Sequence, residues 1–194
     1  MALRAQNRYS LALTLVLAAC SSAAPGPEWQ GNASSALAVF QERYLTGDSQ
    51  GAQTEFAFAR SQLSATGRAD LVARAELIRC AAQVASLVFE PCKGFEALRA
   101  DAGPEEHAYA DYLEGRVPRP VAAEPFPRLV AYGVQMRTAS VTPEGMAAAT
   151  DIASAQGWRR PLLAWLGVQL KRAQDLGDSE TAARLKRRME LVSG

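Results

Sequence analysis

Beyond residue 34 the chain repeats one pattern: apolar side chains return at intervals of three and four, and Gly or Pro cuts each run short. Residues three and four apart share one face of a helix. The pattern therefore prescribes short amphipathic helices that bury their stripes on one another. Ala and Leu are abundant here and β-branched residues sparse, which favours helix. The expected fold class is all-α, built from antiparallel helical hairpins.

The stripes place the helices. Leu37, Phe40 and Tyr44 mark the first, with Ser34 or Ser35 as its cap and Gly47-Asp48 as its end. Ala52, Phe56, Ala59 and Leu63 line a second over 49–64. Leu71, Ala75, Ile78, Ala82 and Ala85 line a third over 70–85. Pro91 disfavours helix at Glu90, so the chain must turn between Ser86 and Pro91. A short helix over 92–100 follows, with Phe95 and Leu98 inward. Pro104 suits a first helical position, and Glu105 and Glu106 favour the N-terminal dipole beside it. That helix ends at Gly115. Pro118, Pro120, Pro125 and Pro127 then stiffen the stretch 116–127 into a connector. Past it, Leu129, Tyr132 and Met136 predict a helix over 128–139, and Thr142-Pro143 opens another that Gly157 terminates. Pro161 opens a third, with Leu163, Leu166, Leu170 and Ala173 inward. Asp178 caps a last helix whose buried face is Ala182, Leu185, Met189 and Val192.

The N-terminus is different in kind. Arg4 and Arg8 stand in a short polar start with no acidic residue before Cys20. The apolar run Leu11 to Ala19 has the length of a signal-peptide core, well short of the ~20 residues a membrane-spanning helix needs. It ends in Leu17-Ala18-Ala19-Cys20, small residues followed by a cysteine. This stretch resembles the lipobox of bacterial lipoproteins. The resemblance implies a signal peptide over 1–19, cleavage before Cys20, and diacylglycerol and palmitate-type lipidation at Cys20. Several acyl chains give durable attachment, since each buried methylene contributes ~0.8 kcal/mol and one chain alone is marginal. Ser21, in place of a retaining aspartate, implies the outer membrane. Pro25, Gly26 and Pro27 fall within the lipidated N-terminus and tether expected over 20–33, ahead of one helical half over 34–115 and another over 128–194.

With Cys20 taken by lipid, Cys80 and Cys92 remain, and in an oxidising envelope compartment two thiols are expected to pair. Pairing requires the third helix to stop early and Leu87-Val88-Phe89 to fold back along it, because the Cα atoms must come within ~7 Å. Charge is uneven. Cys20 to Gly115 carries seven Lys and Arg against thirteen Asp and Glu, whereas Arg159 to Gly194 carries eight against four. The last helix gathers Arg184, Lys186, Arg187 and Arg188 on its outer face, the segment best suited to meet a partner.

Tyr44, Gly47-Asp48, Ala52, Phe56 and Ala59 resemble the aromatic, turn and Ala-x3-Phe-x2-Ala positions of a tetratricopeptide repeat. Trp165-Leu166-Gly167 with Gly177-Asp178 and Ala182 is similar, with an extra helical turn and Lys186 where a large apolar residue belongs. The resemblance implies a short α-solenoid with a concave protein-binding surface. Catalytic signatures are lacking. There is no Walker loop, GxSxG or GxGxxG. His107 is the one histidine, and no second ligand completes a metal site. The expectation is a non-enzymatic, outer-membrane-anchored lipoprotein facing the periplasm, without cofactor, metal or nucleic acid, that docks an envelope protein. The alternatives are a peptidoglycan hydrolase using Glu105, Glu106 and Asp111, or a carrier of a small hydrophobic ligand.

Overall fold

The computed structural model describes residues 26–121 and 123–194. The expected signal peptide and Cys20 lie outside them. Among the described residues there are nine α-helices and no strand. They are α1 (Glu28–Thr46), α2 (Ser49–Ser64), α3 (Ala69–Ala85), α4 (Lys93–Glu96), α5 (Pro104–Leu113), α6 (Pro125–Arg137), α7 (Pro143–Ala155), α8 (Arg159–Asp175) and α9 (Ser179–Ser193). A 3-10 turn, Arg99–Asp101, links α4 to α5. No described helix is long and apolar enough to cross a membrane.

Two helices start earlier than their stripes suggest. α1 begins at Glu28, not at Ser34 or Ser35, so 28–33 belong to the helix rather than to a tether. Pro27 stands at its N-cap and the acidic Glu28 in its first turn, a start that needs no side-chain cap. Ala33 and Ala36 extend the buried stripe backwards from Phe40. α6 begins at Pro125 rather than Arg128. A proline in the first helical turn forfeits no hydrogen bond, so Pro125 and Pro127 start a helix instead of prolonging the connector. Elsewhere the expected caps at Thr142 and Asp178 form, and Asp48, read from the sequence only as a helix end, caps α2 as well. The side chains of Asp48, Thr142 and Asp178 accept from the N–H groups of Gly51, Gly145 and Thr181 at 2.8, 3.1 and 2.9 Å.

One turn recurs four times. Gly47, Gly67, Gly157 and Gly177 adopt positive φ, which a side chain resists. The residue after each enters the next helix in nearly one conformation: Asp48 at φ −78°, ψ 85°; Arg68 at −91°, 92°; Trp158 at −78°, 86°; Asp178 at −77°, 83°. Gly47 and Gly157 stand as far apart in sequence as Gly67 and Gly177. Carried along by the same offset, Ala52 falls on Leu162, Phe56 on Leu166, Leu63 on Ala173, Val72 on Ala182 and Ala75 on Leu185, and all ten are buried. Helices α1–α2–α3 and α7–α8–α9 thus follow one plan in the same register, with α4 to α6 between them.

The two groups of three helices meet directly where α1 touches α8, with Trp158 Nε1 donating to Glu42 at 3.2 Å and Arg160 Nε to the Tyr44 carbonyl at 2.6 Å. Helices α5 and α6 pack on α3, ten of whose seventeen residues are buried. Val72, Ala75 and Ala82 face a small core shared with Phe40, Phe56 and Leu63. Ala73, Leu77, Ala81, Val84 and Ala85 face the larger core with Phe95, Leu129, Trp165 and Leu166. A Cβ on Gly133 of α6 would collide with the backbone carbonyl of Val84, so glycine there lets the two helices touch. Trp165 of α8 is fully buried, and its indole Nε1 donates to the Ala85 carbonyl at 3.2 Å.

α3 does stop early. Ser86 ends it, and Val88 N–H donates back to the Gln83 carbonyl at 2.9 Å. Leu87 takes a φ of 60°, a left-handed conformation that reverses the chain. The return places Cys92 at the start of α4, with its Cα 5.9 Å from that of Cys80, at disulfide distance. The pair closes a loop of sequence separation 12, which in the chain-entropy view contributes about 3 kcal/mol. Replacing both cysteines by Ala is expected to lower the unfolding free energy by about that amount, read from the urea midpoint. Thiol blocking without reductant, followed by intact-mass analysis, should leave Cys80 and Cys92 unlabelled. Two labelled thiols would refute the pairing.

Candidate functional site

The carboxylates singled out for hydrolysis are each met by arginine. Glu106, on the first turn of α5, is 8 % exposed, and its Oε1 accepts from Arg74 Nη2 at 2.6 Å and Nε at 2.8 Å. Glu105 is solvent-exposed, 3.7 Å from the same guanidinium. Asp111 accepts from Arg116 at 2.9 Å, and Arg116 also pairs with Glu114. Burial alone would push Glu106 up, but the hydrogen bonds from Arg74 and the backbone outweigh it and hold its carboxyl below the usual carboxylate range. A general acid needs the opposite perturbation. This is the electrostatics of an ion pair that pins α5 to α3.

A second ionic cluster is not legible in the sequence. Glu76 of α3 is 3 % exposed, and its carboxylate lies between Arg60 Nε of α2 at 3.1 Å and Arg79 Nη2 at 2.5 Å. Arg79 also lies over the Phe56 ring, 4.7 Å from its centroid. A Cβ on Gly94 would strike the Glu76 carboxylate, so the glycine makes room for the cluster. Cys92 Sγ lies 3.8 Å from the Glu76 carbonyl oxygen. Buried charge, α2, α3 and the cysteine loop are thus assembled at one place. His107 is half-buried, edge-on to Phe95, with its Nδ1 3.4 Å from Arg99 Nη1. Among the described residues no group of three His, Cys, Asp or Glu could hold a metal ion.

The basic face stands where the stripe of α9 puts it. Ala182 and Leu185 are buried against α8, while Met189 and Val192 are half-buried against the same core. Arg184, Lys186 and Arg187 are exposed and Arg188 half-buried. Glu180 and Arg184, one helical turn apart, do not pair; Arg184 Nη2 donates to the Thr181 hydroxyl at 3.1 Å. None of the four cations is paired with a carboxylate among the described residues. Leu191, 84 % exposed, adds an apolar residue near the end of the helix.

Sequence reasoning missed the concavity formed by the connector. The extended chain from Arg116 to Val121 runs along α5 and α6 and leaves three adjoining hollows of about 160, 290 and 400 Å3. Arg119 borders all three. Its guanidinium lies 4.9 Å above the Tyr109 ring, which stacks on Tyr112 with centroids 5.9 Å apart. Val117, Val121 and Val130 supply apolar walls. Burial pushes the Tyr109 phenol up to about 12, so it stays protonated at neutral pH. Three stretches distant in sequence build this cleft. The only hint in the sequence is an aromatic pair at i,i+3 followed by alternating proline. A separate shallow groove of about 290 Å3, lined by Trp29, Leu37, Leu71 and Ile78, lies between α1 and α3.

The Glu106 pair sets a pH dependence. Because folding lowers its pKa, its contribution is complete above the unfolded-state value and is lost as pH falls through the folded value. Glu106→Gln should therefore melt below the parent chain near neutrality, and the gap should close as the solution is acidified below the usual carboxylate range. A gap independent of pH would show that packing, not charge, sets the cost. No family model matches the chain, nor does any curated protein or solved structure.

Proposed function

We propose that the chain is a lipid-anchored helical adaptor of the cell envelope, non-enzymatic, that docks an envelope protein through the outer face of α9. The order of basic start, apolar run, small residues and Cys20 supports the anchor, and with Ser21 the outer membrane. One observation carries the docking surface. In the shared plan of the two helical triplets α9 takes the place of α3, and the side of α3 that α5 and α6 cover corresponds to the open side of α9. There Ala183, Arg187, Glu190 and Leu191 replace Ala73, Leu77, Cys80 and Ala81. Arg187 on that side, with Arg184 at the position of Arg74 beside it, favours an acidic partner surface. Charge of one sign orients and speeds encounter, and salt weakens it.

Two measurements test the reading. The mature chain should begin at Cys20 and carry the mass of its acyl groups; an unmodified cysteine, or another first residue, would remove the anchor. Reversing Lys186, Arg187 and Arg188 to Glu should abolish recovery of the partner by crosslinking in cells, with the melting temperature nearly unchanged. A large fall in melting temperature, greatest at low salt, would mean instead that the face serves the fold. If neither quantity moves, the face is only solvated surface.

A further inference from the structure

The connector cleft carries a site of its own, independent of the anchor and of α9. We infer that it binds the free carboxylate end of an extended peptide, with the Arg119 guanidinium as the carboxylate receptor.

The argument begins with charge. Every other basic side chain bordering the cleft is neutralised: Arg74 by Glu106, and Arg116 by Asp111 and Glu114. Arg119 has no carboxylate within salt-bridge distance among the described residues. Arg119 is exposed, and its guanidinium lies over the Tyr109 ring, 4.9 Å from the centroid. A guanidinium whose face meets a ring keeps its edge free, and that edge presents paired N–H donors matched to the two oxygens of a carboxylate. The phenol beside it is neutral at physiological pH and places no anion against the ligand.

The backbone supplies the second half. Pro118 and Pro120 restrict the connector and lack N–H groups, and the residues that alternate with them, Val117, Arg119 and Val121, donate to no described residue. Donors at every second residue along an extended chain suit the carbonyls of a peptide laid beside it. Proline at the alternate positions keeps the same edge from recruiting a full β-strand. Val121 is 50 % exposed and Val117 40 % exposed, so ligand side chains would cover apolar surface that water now covers. A sugar is a poorer fit: Tyr109 already has Arg119 on its ring and stacks against Tyr112, which leaves little aromatic face for a pyranose.

The test uses the nitrogen-15-labelled full chain and two equimolar mixtures of N-acetylated hexapeptides, one ending in free carboxylates and one in carboxamides. The acid mixture should shift amide signals of Tyr109, Val117, Arg119 and Val121. It should also bind roughly tenfold more tightly than the amide mixture, the effect of losing hydrogen bonds to a charged group. Arg119→Gln should reduce the acid mixture to the level of the amide and leave the amide unchanged. Arg184→Gln, on α9, should alter neither. Sodium acetate alone tests whether the pocket takes any small anion: if acetate shifts the same signals with equal affinity, the peptide part of the proposal fails. Equal binding of acid and amide, shifts that map elsewhere, or no shifts at all would overturn it outright.

Discussion

The C-terminal carbonyl of a helix has no partner inside the helix, and α3 ends in the middle of the core. Ala85 is fully buried there, so its carbonyl must be met or the end of α3 would be expelled to water. Trp165 meets it from α8, eighty residues away in sequence. Together with Trp158 donating to Glu42 and Arg160 donating to the Tyr44 carbonyl and the Ser49 hydroxyl, it fixes which way the second helical triplet lies on the first. The close approach at Gly133 and the return of the chain to Cys92 both occur within the same last turns of α3. Three crossings, one polar, one steric and one at disulfide distance, therefore converge on one helix end, and the larger core fills in around them.

The two triplets share turns and register yet differ in fate, and the side chains decide which. The far side of α3 carries Ala73, Leu77, Cys80 and Ala81, small or apolar residues that α5 and α6 cover. At the same positions α9 carries Ala183, Arg187, Glu190 and Leu191. Burying Arg187 and Glu190 without partners would cost several kcal/mol each, and nothing among the described residues covers them. Among the described residues the outer face of α9 is left to solvent.

Much of the fold is legible because it is local. Thr142 and Asp178 signal helix starts at the next residue, and the stripes of α2, α3 and α9 fall where periodicity puts them. Two kinds of start are not legible. α1 opens on Pro27 with no capping side chain, and its first turns bury only Ala33 and Ala36, whose small side chains give a faint pattern. Pro125 and Pro127 look like linker until the helix that follows shows them to be its first turn. Of the surfaces, the basic face is readable because four cations sit on one helix. The Glu76 cluster and the Arg119 cleft are not, because each joins residues from elements whose packing no periodicity encodes.

The indole that closes α3 has an optical consequence. Trp165 is sealed from water, Trp158 nearly so, and Trp29 half-exposed beside the groove between α1 and α3. An indole in an apolar, rigid site emits at shorter wavelength than one in water, and a quencher such as iodide cannot reach it. The native emission should therefore separate into a quenchable red component from Trp29 and an inaccessible blue one from the core. The blue component watches the junction of α3 with α8, and the red one watches the far end of α1. Ligands and partners can thus be followed at two places in the molecule with no label added.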